Sequence, residues 1–152
     1  MTLFQDLNKQ LIEGQWQDGT GTSIYEDMNP YNGEVVAKFK MARKEDVDRA
    51  YRAAQAAQKE WSKVNAFDKS TIMENAARIM MDKRDDFIQL LIEETGSSFI
   101  KANVEIDFCI SIIRESASFP LRMGGEMVPS LVPGKENRVY RNPLGVVGII
   151  SP

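Results

Sequence analysis

The feature that most constrains the fold is a near-continuous apolar run, LGVVGII, at Leu144–Ile150. A strand covered by helices on both faces carries apolar side chains in succession, whereas a half-exposed strand alternates polar and apolar ones. The run therefore predicts a buried parallel strand, which needs neighbouring strands. Ligands of open α/β sheets bind beyond the carboxyl ends of such strands. We therefore expect Ile150, Ser151 and Pro152 to lie at the edge of a ligand crevice whose remaining walls this sequence does not encode.

Composition and charge narrow the possible partners. The 152 residues are 43% hydrophobic and 27% charged, as in an ordinary globular protein. The 19 Lys and Arg residues are interspersed with 22 Asp and Glu residues, so the sequence lacks the basic cluster on which nucleic-acid binding depends. Its longest apolar run has seven residues, against the roughly 20 that are needed to cross a bilayer. We expect a cytoplasmic protein that binds neither nucleic acid nor membranes.

A single cysteine and the absence of histidine restrict the chemistry further. One cysteine cannot form an intramolecular disulfide, and a zinc site of the Cys-His type needs ligands that are missing here. Cys109 is predicted to lie in the middle of a helix, beside Phe108 and Ile110. Neither a histidine nor a helix amino terminus would activate its thiol there. We therefore expect Cys109 to be a small buried hydrophobic residue.

Strands and turns are expected in the first 40 residues. LIEGQW at 11–16 places an apolar pair before a glycine turn, and QDGTGTS at 17–23 supplies the glycine and aspartate that end or reverse a strand. These segments predict a β-hairpin. The NPYNG turn at 29–33 precedes Val35 and Phe39, which belong to an alternating run that predicts a half-buried strand.

Four helices are expected between residues 44 and 120, where the apolar period changes from two to about 3.6. They are predicted from Lys44 to Val64, from near Asp68 to near Lys83, from about Asp85 to Gly96, and from Ser97 or Ser98 to a point before Pro120. Glu45 and Asp46 suit the first turn of the first helix, because the helix dipole favours anions there. Apolar residues recur four positions apart along the fourth helix, at Ile100, Val104, Phe108 and Ile112.

A segment rich in glycine and proline follows the helices, at residues 120–134. Pro129 and Pro133 confine it to an edge strand or to irregular extended structure, because proline cannot donate to a strand ladder. Residues 139–140, Val-Tyr, suit a second strand. The two extended pieces, joined at Gly134–Lys135, predict an arm.

Residues with catalytic or ligand-binding chemistry are sparse. Adjacent carboxylates at 85–86 and 93–94 diverge by about 100° around a helix, which favours solvated positions over a shared acid-base site. Lys135, Arg138 and Arg141 favour solubility or subunit ion pairs over an anion site. The sequence contains neither GxGxxG nor a P-loop, so it predicts no phosphate cradle. We predict no catalytic residue and no metal site.

Taken in order, five segments resemble the amino-terminal part of the NAD(P)-dependent aldehyde dehydrogenase superfamily. They are LIEGQW, NPYNGEVV, DVDRAYRAAQAAQKEW, LIEETG and YRNPLGVVGIISP. Residues 119–152 are most similar to the benzaldehyde and vanillin dehydrogenase group, whose members oxidise aromatic aldehydes to acids. The resemblance covers essentially the whole chain. It implies an α/β fold in which a β-hairpin, a four-helix cluster, an oligomerisation arm and the first strand of a Rossmann-like sheet follow one another.

The resemblance also implies which residues belong to which domain. Residues 1–127 and 141–152 would be part of a coenzyme-binding domain, residues 128–140 the oligomerisation arm, and the catalytic domain would be absent. In the family, the positions that match Ile150, Ser151 and Pro152 line the cleft for NAD or NADP. The family's oxyanion-stabilising Asn, nucleophilic Cys and general-base Glu all fall beyond the last residue here. Cys109 matches neither of the last two.

The implied activity is the oxidation of an aldehyde, such as benzaldehyde or vanillin, by a complete homo-oligomeric protein. We expect this chain alone to be an inactive amino-terminal fragment that binds no coenzyme tightly. Two other hypotheses stay open: an interaction module that pairs with a complete dehydrogenase subunit, and an independent nucleotide-binding module, which the missing phosphate loop disfavours. One position departs from the family pattern, because Arg43 stands where a small polar residue usually caps the first long helix.

Overall fold

A computed structural model describes residues 8–151 and contains four helices and three two-stranded antiparallel sheets in that range. In chain order the elements are β1 Gln10–Ile12, β2 Gln15–Gln17, β3 Ile24–Met28, β4 Val35–Lys40, α1 Lys44–Trp61, α2 Ala66–Asp82, α3 Arg84–Thr95, α4 Phe99–Arg122, β5 Glu126–Pro129 and β6 Glu136–Val139. Each sheet is a hairpin of consecutive strands. The four predicted helices are therefore confirmed.

Two hairpins form where the sequence predicts strands and turns. β1 pairs with β2 so that Leu11 lies opposite Trp16. β3 pairs with β4, and the rings of Tyr25 and Phe39 pack across the two strands in a tilted arrangement, with centroids 5.2 Å apart. The intervening turn closes at Gly33, which adopts a φ of 74° and donates its backbone N–H to the Asn29 carbonyl at 2.8 Å. The hairpin and the half-buried strand at 35–40 are confirmed.

Local capping determines where most of the helices begin and end. Gly96 has a φ of 66° at the end of α3, and the Ser98 side chain accepts a hydrogen bond from the Lys101 N–H at the start of α4, both as predicted. The predicted cap of α2, Asp68, is wrong. The Asn65 side chain caps this helix instead by accepting the Asp68 N–H at 2.9 Å. The second helix therefore begins at Ala66, two residues before Asp68.

The predicted end of α4 before Pro120 is also wrong, because the helix continues to Arg122. Proline lacks a backbone donor, so inside a helix it removes one hydrogen bond to the carbonyl four residues earlier. Only two helical residues follow Pro120, which limits the loss to the last turn. The Arg122 guanidinium donates to Glu115 at 2.6 Å and to the Ser118 hydroxyl at 2.7 Å, and these bonds stabilise that turn.

The core lies between α2, α3 and α4. Ile88, Ala102, Ile106 and Ile110 form its buried centre, and Met80, Phe87, Leu91 and Ile92 pack around them. Fully buried Ala77 on α2 and Ala117 on α4 leave room for the two helices to approach each other. None of the helices within residues 8–151 is both long and apolar enough to cross a membrane.

Apolar residues also cover the opposite side of α4. The residues that recur every four positions, Ile100, Val104, Phe108 and Ile112, are all exposed, and we call this set the α4 stripe. Cys109 is exposed as well, so its predicted burial is wrong. Because α4 is apolar on both sides, its spacing alone does not indicate which side the rest of the described chain covers.

The arm is confirmed as a hairpin of β5 and β6, with Met127 opposite Arg138. Gly134 adopts a φ of 75° in the connection, and the Lys135 N–H donates to the Val132 carbonyl at 3.2 Å. β6 ends at Val139, one residue before the predicted strand does. Nearly every residue of both strands is exposed, so the free edges of this hairpin are open to another strand.

The strand predicted at Leu144–Ile150 does not form in this structure. Its backbone pairs with no described strand, and a strand exists only through hydrogen bonds to a neighbour. Ile150 at its end is fully exposed, at 100% of its reference area. Residues 144–150 instead form an irregular segment, of which Gly145, Val146 and Gly148 lie near α1.

Candidate functional site

The predicted site residues lie at the free end of this irregular segment. Ile150 and Ser151 are both exposed, whereas Pro152 lies outside the described residues. Gly148, three residues before Ser151, lies against the hydroxyl of Tyr51 on α1. The structure therefore places the candidate site beyond the end of a segment that contacts α1.

A shallow apolar groove of about 580 Å³ continues this contact toward the carboxyl end of the helix. It lies between α1 and the segment, and its apolar lining comes from Ala54, Ala57, Trp61, Val64, Gly145 and Val146. Gly148 lies against Tyr51 near the middle of α1, whereas Gly145 and Val146 line the groove together with residues from Ala54 to Val64. The segment thus runs antiparallel to α1 and directs Ser151 toward the amino end of the helix.

The amino end of α1 is itself held in place by a buried carboxylate, Asp46, which is only 1% exposed. Its Oδ2 atom accepts hydrogen bonds from the Arg43 N–H at 3.0 Å, the Thr20 N–H at 2.9 Å and the Thr20 hydroxyl at 2.7 Å. These three donors, the Arg43 N–H above all, hold the pKa of Asp46 far below its usual range. Asp46 therefore stays ionised and connects the loop before β3 to the start of α1.

Asp46 also explains the unusual Arg43 cap. Arg43 has an extended backbone, with φ −99° and ψ 171°, and its N–H bonds to the side chain of Asp46 three residues later. This bond is the backward half of a capping box, in which the third helical residue accepts from the cap. The N–H of the cap residue Arg43 is thus satisfied by the Asp46 carboxylate.

Sequence reasoning identified Asp46 only as an acidic residue in the first turn of a helix and missed its tertiary role. A signal is present in the GTG triplet at 19–21, which was interpreted as a turn. Side chains at Gly19 or Gly21 would overlap the backbone carbonyl of Met41. Only glycine lets this loop lie against the end of β4, and that approach brings Thr20 within reach of Asp46.

The remaining candidates do not converge on a site. No cluster of three side chains suited to a metal ion occurs among residues 8–151. Arg138 pairs with Glu136 at 2.9 Å, and this bond raises the pKa of its guanidinium. Arg84 binds Asp107 at 2.7 Å and the Asn103 side chain at 2.7 Å, which joins α3 to α4. The Arg84 bonds stabilise a contact between two helices, whereas Arg138 and Glu136 lie on the same strand, β6.

A model of the aldehyde dehydrogenase family matches residues 16–152 of the chain. A benzaldehyde dehydrogenase of Bacillus subtilis, YfmT, is 46% identical over 152 residues, which are 100% of this chain and 31% of that protein. A vanillin dehydrogenase of Corynebacterium glutamicum is 48% identical over 147 residues, covering 97% of this chain and 30% of that protein. The chain thus spans about a third of the length of these relatives.

Solved structures also match the fold over most of this chain. The crystal structure of an NAD-dependent benzaldehyde dehydrogenase from Corynebacterium glutamicum has a TM-score of 0.86 and 44% identity, covering 92% of this chain and 30% of that one. A betaine aldehyde dehydrogenase from Staphylococcus aureus, in complex with NAD+, has a TM-score of 0.83 and 27% identity over 90% of this chain and 28% of that one. The chain therefore has the architecture of the amino-terminal part of such structures.

Proposed function

Since this chain belongs to the aldehyde dehydrogenase family, we propose that it contributes the amino-terminal part of an enzyme that oxidises an aromatic aldehyde to the carboxylic acid. Benzaldehyde and vanillin are the proposed substrates. The supporting observation is the identity of 46% and 48% with a benzaldehyde and a vanillin dehydrogenase over at least 97% of the chain. NAD is the proposed coenzyme, with NADP as the second choice, because a similar structure is named as an NAD-dependent enzyme.

Within this function, Ile150, Ser151 and Pro152 are proposed to form one wall of the coenzyme cleft. The described members of this set suit that role chemically. Ile150 presents an exposed apolar side chain for a flat ring, and Ser151 presents an exposed hydroxyl for a hydrogen bond. When bound, the nicotinamide ring supplies the hydride acceptor. The contribution of this chain is to position that coenzyme.

We propose that the chain has no catalytic activity by itself. The reaction needs an activated nucleophile and donors that stabilise an oxyanion. Cys109 is exposed on α4, and the sequence holds no histidine that would activate it. The nucleophilic Cys, the oxyanion-stabilising Asn and the base Glu are expected beyond Pro152, as in the family.

The arm at 128–140 is proposed to join subunits into a homo-oligomer, while residues 1–127 and 141–152 belong to the coenzyme-binding domain. The β5–β6 hairpin supports this role, because its strands are short and exposed, and Met127 and Leu131 leave apolar surface uncovered. Such an edge accepts a further strand from another chain. The same observation favours a second candidate function, in which this chain is a non-catalytic module that pairs with a complete dehydrogenase subunit.

A chimera tests the proposed function. In it, this chain replaces the matching segment of the Bacillus subtilis benzaldehyde dehydrogenase, with which it is 46% identical. We expect the chimera to reduce NAD when benzaldehyde is added, as measured by NADH absorbance, and the isolated chain to produce none. The variant Cys109→Ala of the chimera should retain the activity. NADH production by the isolated chain, or its loss in the Cys109→Ala chimera, would contradict the proposal.

The non-catalytic alternative predicts a different result. A pairing module would form a stable complex with the intact benzaldehyde dehydrogenase in analytical ultracentrifugation, yet a folded chimera would not turn over. A folded and active chimera would therefore favour the proposed function over a pairing module.

A further inference from the structure

The turn between β3 and β4 contains Asn32, the only asparagine of the chain that is followed by glycine. Asn32 and Gly33 are both exposed, and nothing lies within 4 Å of the place that a Cβ of Gly33 would occupy. Because glycine has no side chain, its backbone nitrogen is open to the side chain of the residue before it. Asparagine is also one of the thermolabile residue types. This pair is therefore the place in the sequence where an asparagine amide is most open to attack from its own backbone.

The reaction of such a pair is deamidation. The Gly33 nitrogen loses its proton to water or hydroxide, and its electron pair forms a bond to Cγ of Asn32. The bond from Cγ to Nδ2 breaks, and Nδ2 leaves as ammonia with a proton returned by water. Water then opens the five-membered succinimide ring at either carbonyl, which leaves aspartate or isoaspartate at position 32. The reaction needs no oxidant, reductant or cofactor, only a Gly33 nitrogen that is free to lose its proton.

The hydrogen bonds of the turn oppose this attack. The Gly33 N–H donates to the Asn29 carbonyl at 2.8 Å, and a peptide N–H in such a bond reacts with solvent only when the structure opens locally. The side chain of Asn32 is held as well, because its Oδ1 accepts the Glu34 N–H at 2.9 Å and its Nδ2 donates to the Glu34 carboxylate at 2.8 Å. Both partners of the reaction are thus restrained while the turn is closed.

The charge of Glu34 acts in the same direction. The reactive form of the Gly33 nitrogen is an anion, and a neighbouring carboxylate disfavours a second negative charge. Because the turn is exposed, solvent and salt screen this repulsion. We therefore expect the hydrogen bonds to contribute more to the protection than the charge does.

We propose that Asn32 is a deamidation site that the closed turn protects, and that its conversion loosens the turn. A carboxylate at position 32 would face the Glu34 carboxylate at the place where the amide now donates at 2.8 Å, and like charges so close repel each other. The turn also contacts the end of α3, because a Cβ on Gly96 would lie only 2.8 Å from Cγ of Pro30. Conversion of Asn32 therefore weakens the contact between this hairpin and the helices.

Incubation of the 152-residue chain at mildly alkaline pH, in buffer and in urea, tests the site and its protection. Mass spectrometry follows conversion in the peptide that contains Asn32, and the peptide with Asn75, which precedes an alanine, is the internal reference. We expect conversion of Asn32 to be at least about tenfold slower in buffer than in urea, since the bonds of the turn must open first. Equal rates would overturn the protection. Conversion in urea no faster at Asn32 than at Asn75 would overturn the site.

Two substitutions of Glu34 separate hydrogen bonding from charge. Glu34→Ala removes both and should accelerate conversion in the folded chain by about three- to tenfold. Glu34→Gln keeps an acceptor for the Asn32 amide, so its increase should be smaller. Glu26→Gln is the matched control, because Glu26 pairs with Lys38 on the same hairpin and should leave the rate unchanged. In urea all three variants should convert at the parent rate. A folded Glu34→Ala variant that converts no faster than the parent in buffer would overturn the restraint by Glu34.

Hydrogen exchange at Gly33 tests the effect of conversion on the turn. Asn32→Asp introduces the charge of the product without the wait for the reaction. We expect it to lower the protection of the Gly33 N–H, measured against the unfolded chain, by about threefold or more, because the bond to Glu34 is replaced by a repulsion. Unchanged protection in this variant would show that conversion of Asn32 does not loosen the turn, and would overturn that part of the proposal.

Discussion

The two faces of α4 differ in what they contact, although both are apolar. Ile106 on one face is 8% exposed and packs in the core, whereas Ile100 on the other is 77% exposed. A helix with two apolar faces is typical of the interior of a larger protein, where neighbours cover both. Relatives three times as long as this chain supply such a context. Apolar spacing therefore identifies the helix, but the neighbours decide which face is covered.

The same substitution on each face gives the largest expected difference. Ile106→Ala removes a buried side chain from the core, which costs about 2–5 kcal/mol of unfolding free energy. Ile100→Ala changes an exposed position of the same helix and should stay within about 0.5 kcal/mol of the parent. Urea unfolding of both variants, followed by circular dichroism, measures the difference. Equal losses from the two variants would show that the α4 stripe is covered in solution.

The ion pair at the margin of the core should give a smaller effect that depends on pH. The hydrogen bond from Arg84 to Asp107 links α3 to α4 and lowers the pKa of the Asp107 carboxyl. A carboxyl whose pKa is lower in the folded state stabilises that state above its unfolded pKa of about 3.9. This stabilisation is lost as the pH falls through the folded value.

Asp107→Asn should therefore be less stable than the parent at pH 7, and the difference should shrink as the pH falls below about 4. Unfolding free energies from urea titrations at a series of pH values provide the measurement. Glu105→Gln is the control, because the Lys101–Glu105 pair, 2.8 Å apart, lies within α4 and joins no second element. If Glu105→Gln lowered the unfolding free energy as much as Asp107→Asn does, the Arg84–Asp107 bond between α3 and α4 would have no special role in stability.

Local signals predicted most of the architecture. The end of α3 at Gly96, the Ser98 cap of α4 and the turn at Gly33 each depend on a few neighbouring residues. The backbone preferences of these residues can be recognised in the sequence. The errors at Asn65 and Pro120 are also local. In both cases a side chain, Asn65 or Arg122, supplies the hydrogen bonds that decide the boundary.

Burial and the site depend on distant residues and were harder to predict. The exposure of Cys109 and of the α4 stripe follows from what packs against α4, which periodicity does not encode. The role of Asp46 depends on Thr20, 26 positions away. For the site, the sequence predicted Ile150 and Ser151 at a strand end, but not that Tyr51 would touch Gly148. Such contacts become visible only when the elements are packed together.

Polar substitution on the α4 stripe should give the smallest effect on stability and a measurable one on association. Phe108→Gln removes an exposed aromatic side chain that contacts solvent in the isolated chain, so the unfolding free energy should change by less than about 0.5 kcal/mol. Exposed apolar patches promote association between molecules. Sedimentation velocity should therefore detect less self-association than in the parent.

Phe87→Gln is the opposite control, because Phe87 packs against the core cluster. It should destabilise the chain and increase association, since partial unfolding exposes further apolar surface. If Phe108→Gln instead lowered stability as much as Phe87→Gln, the α4 stripe would have to be covered within the isolated chain.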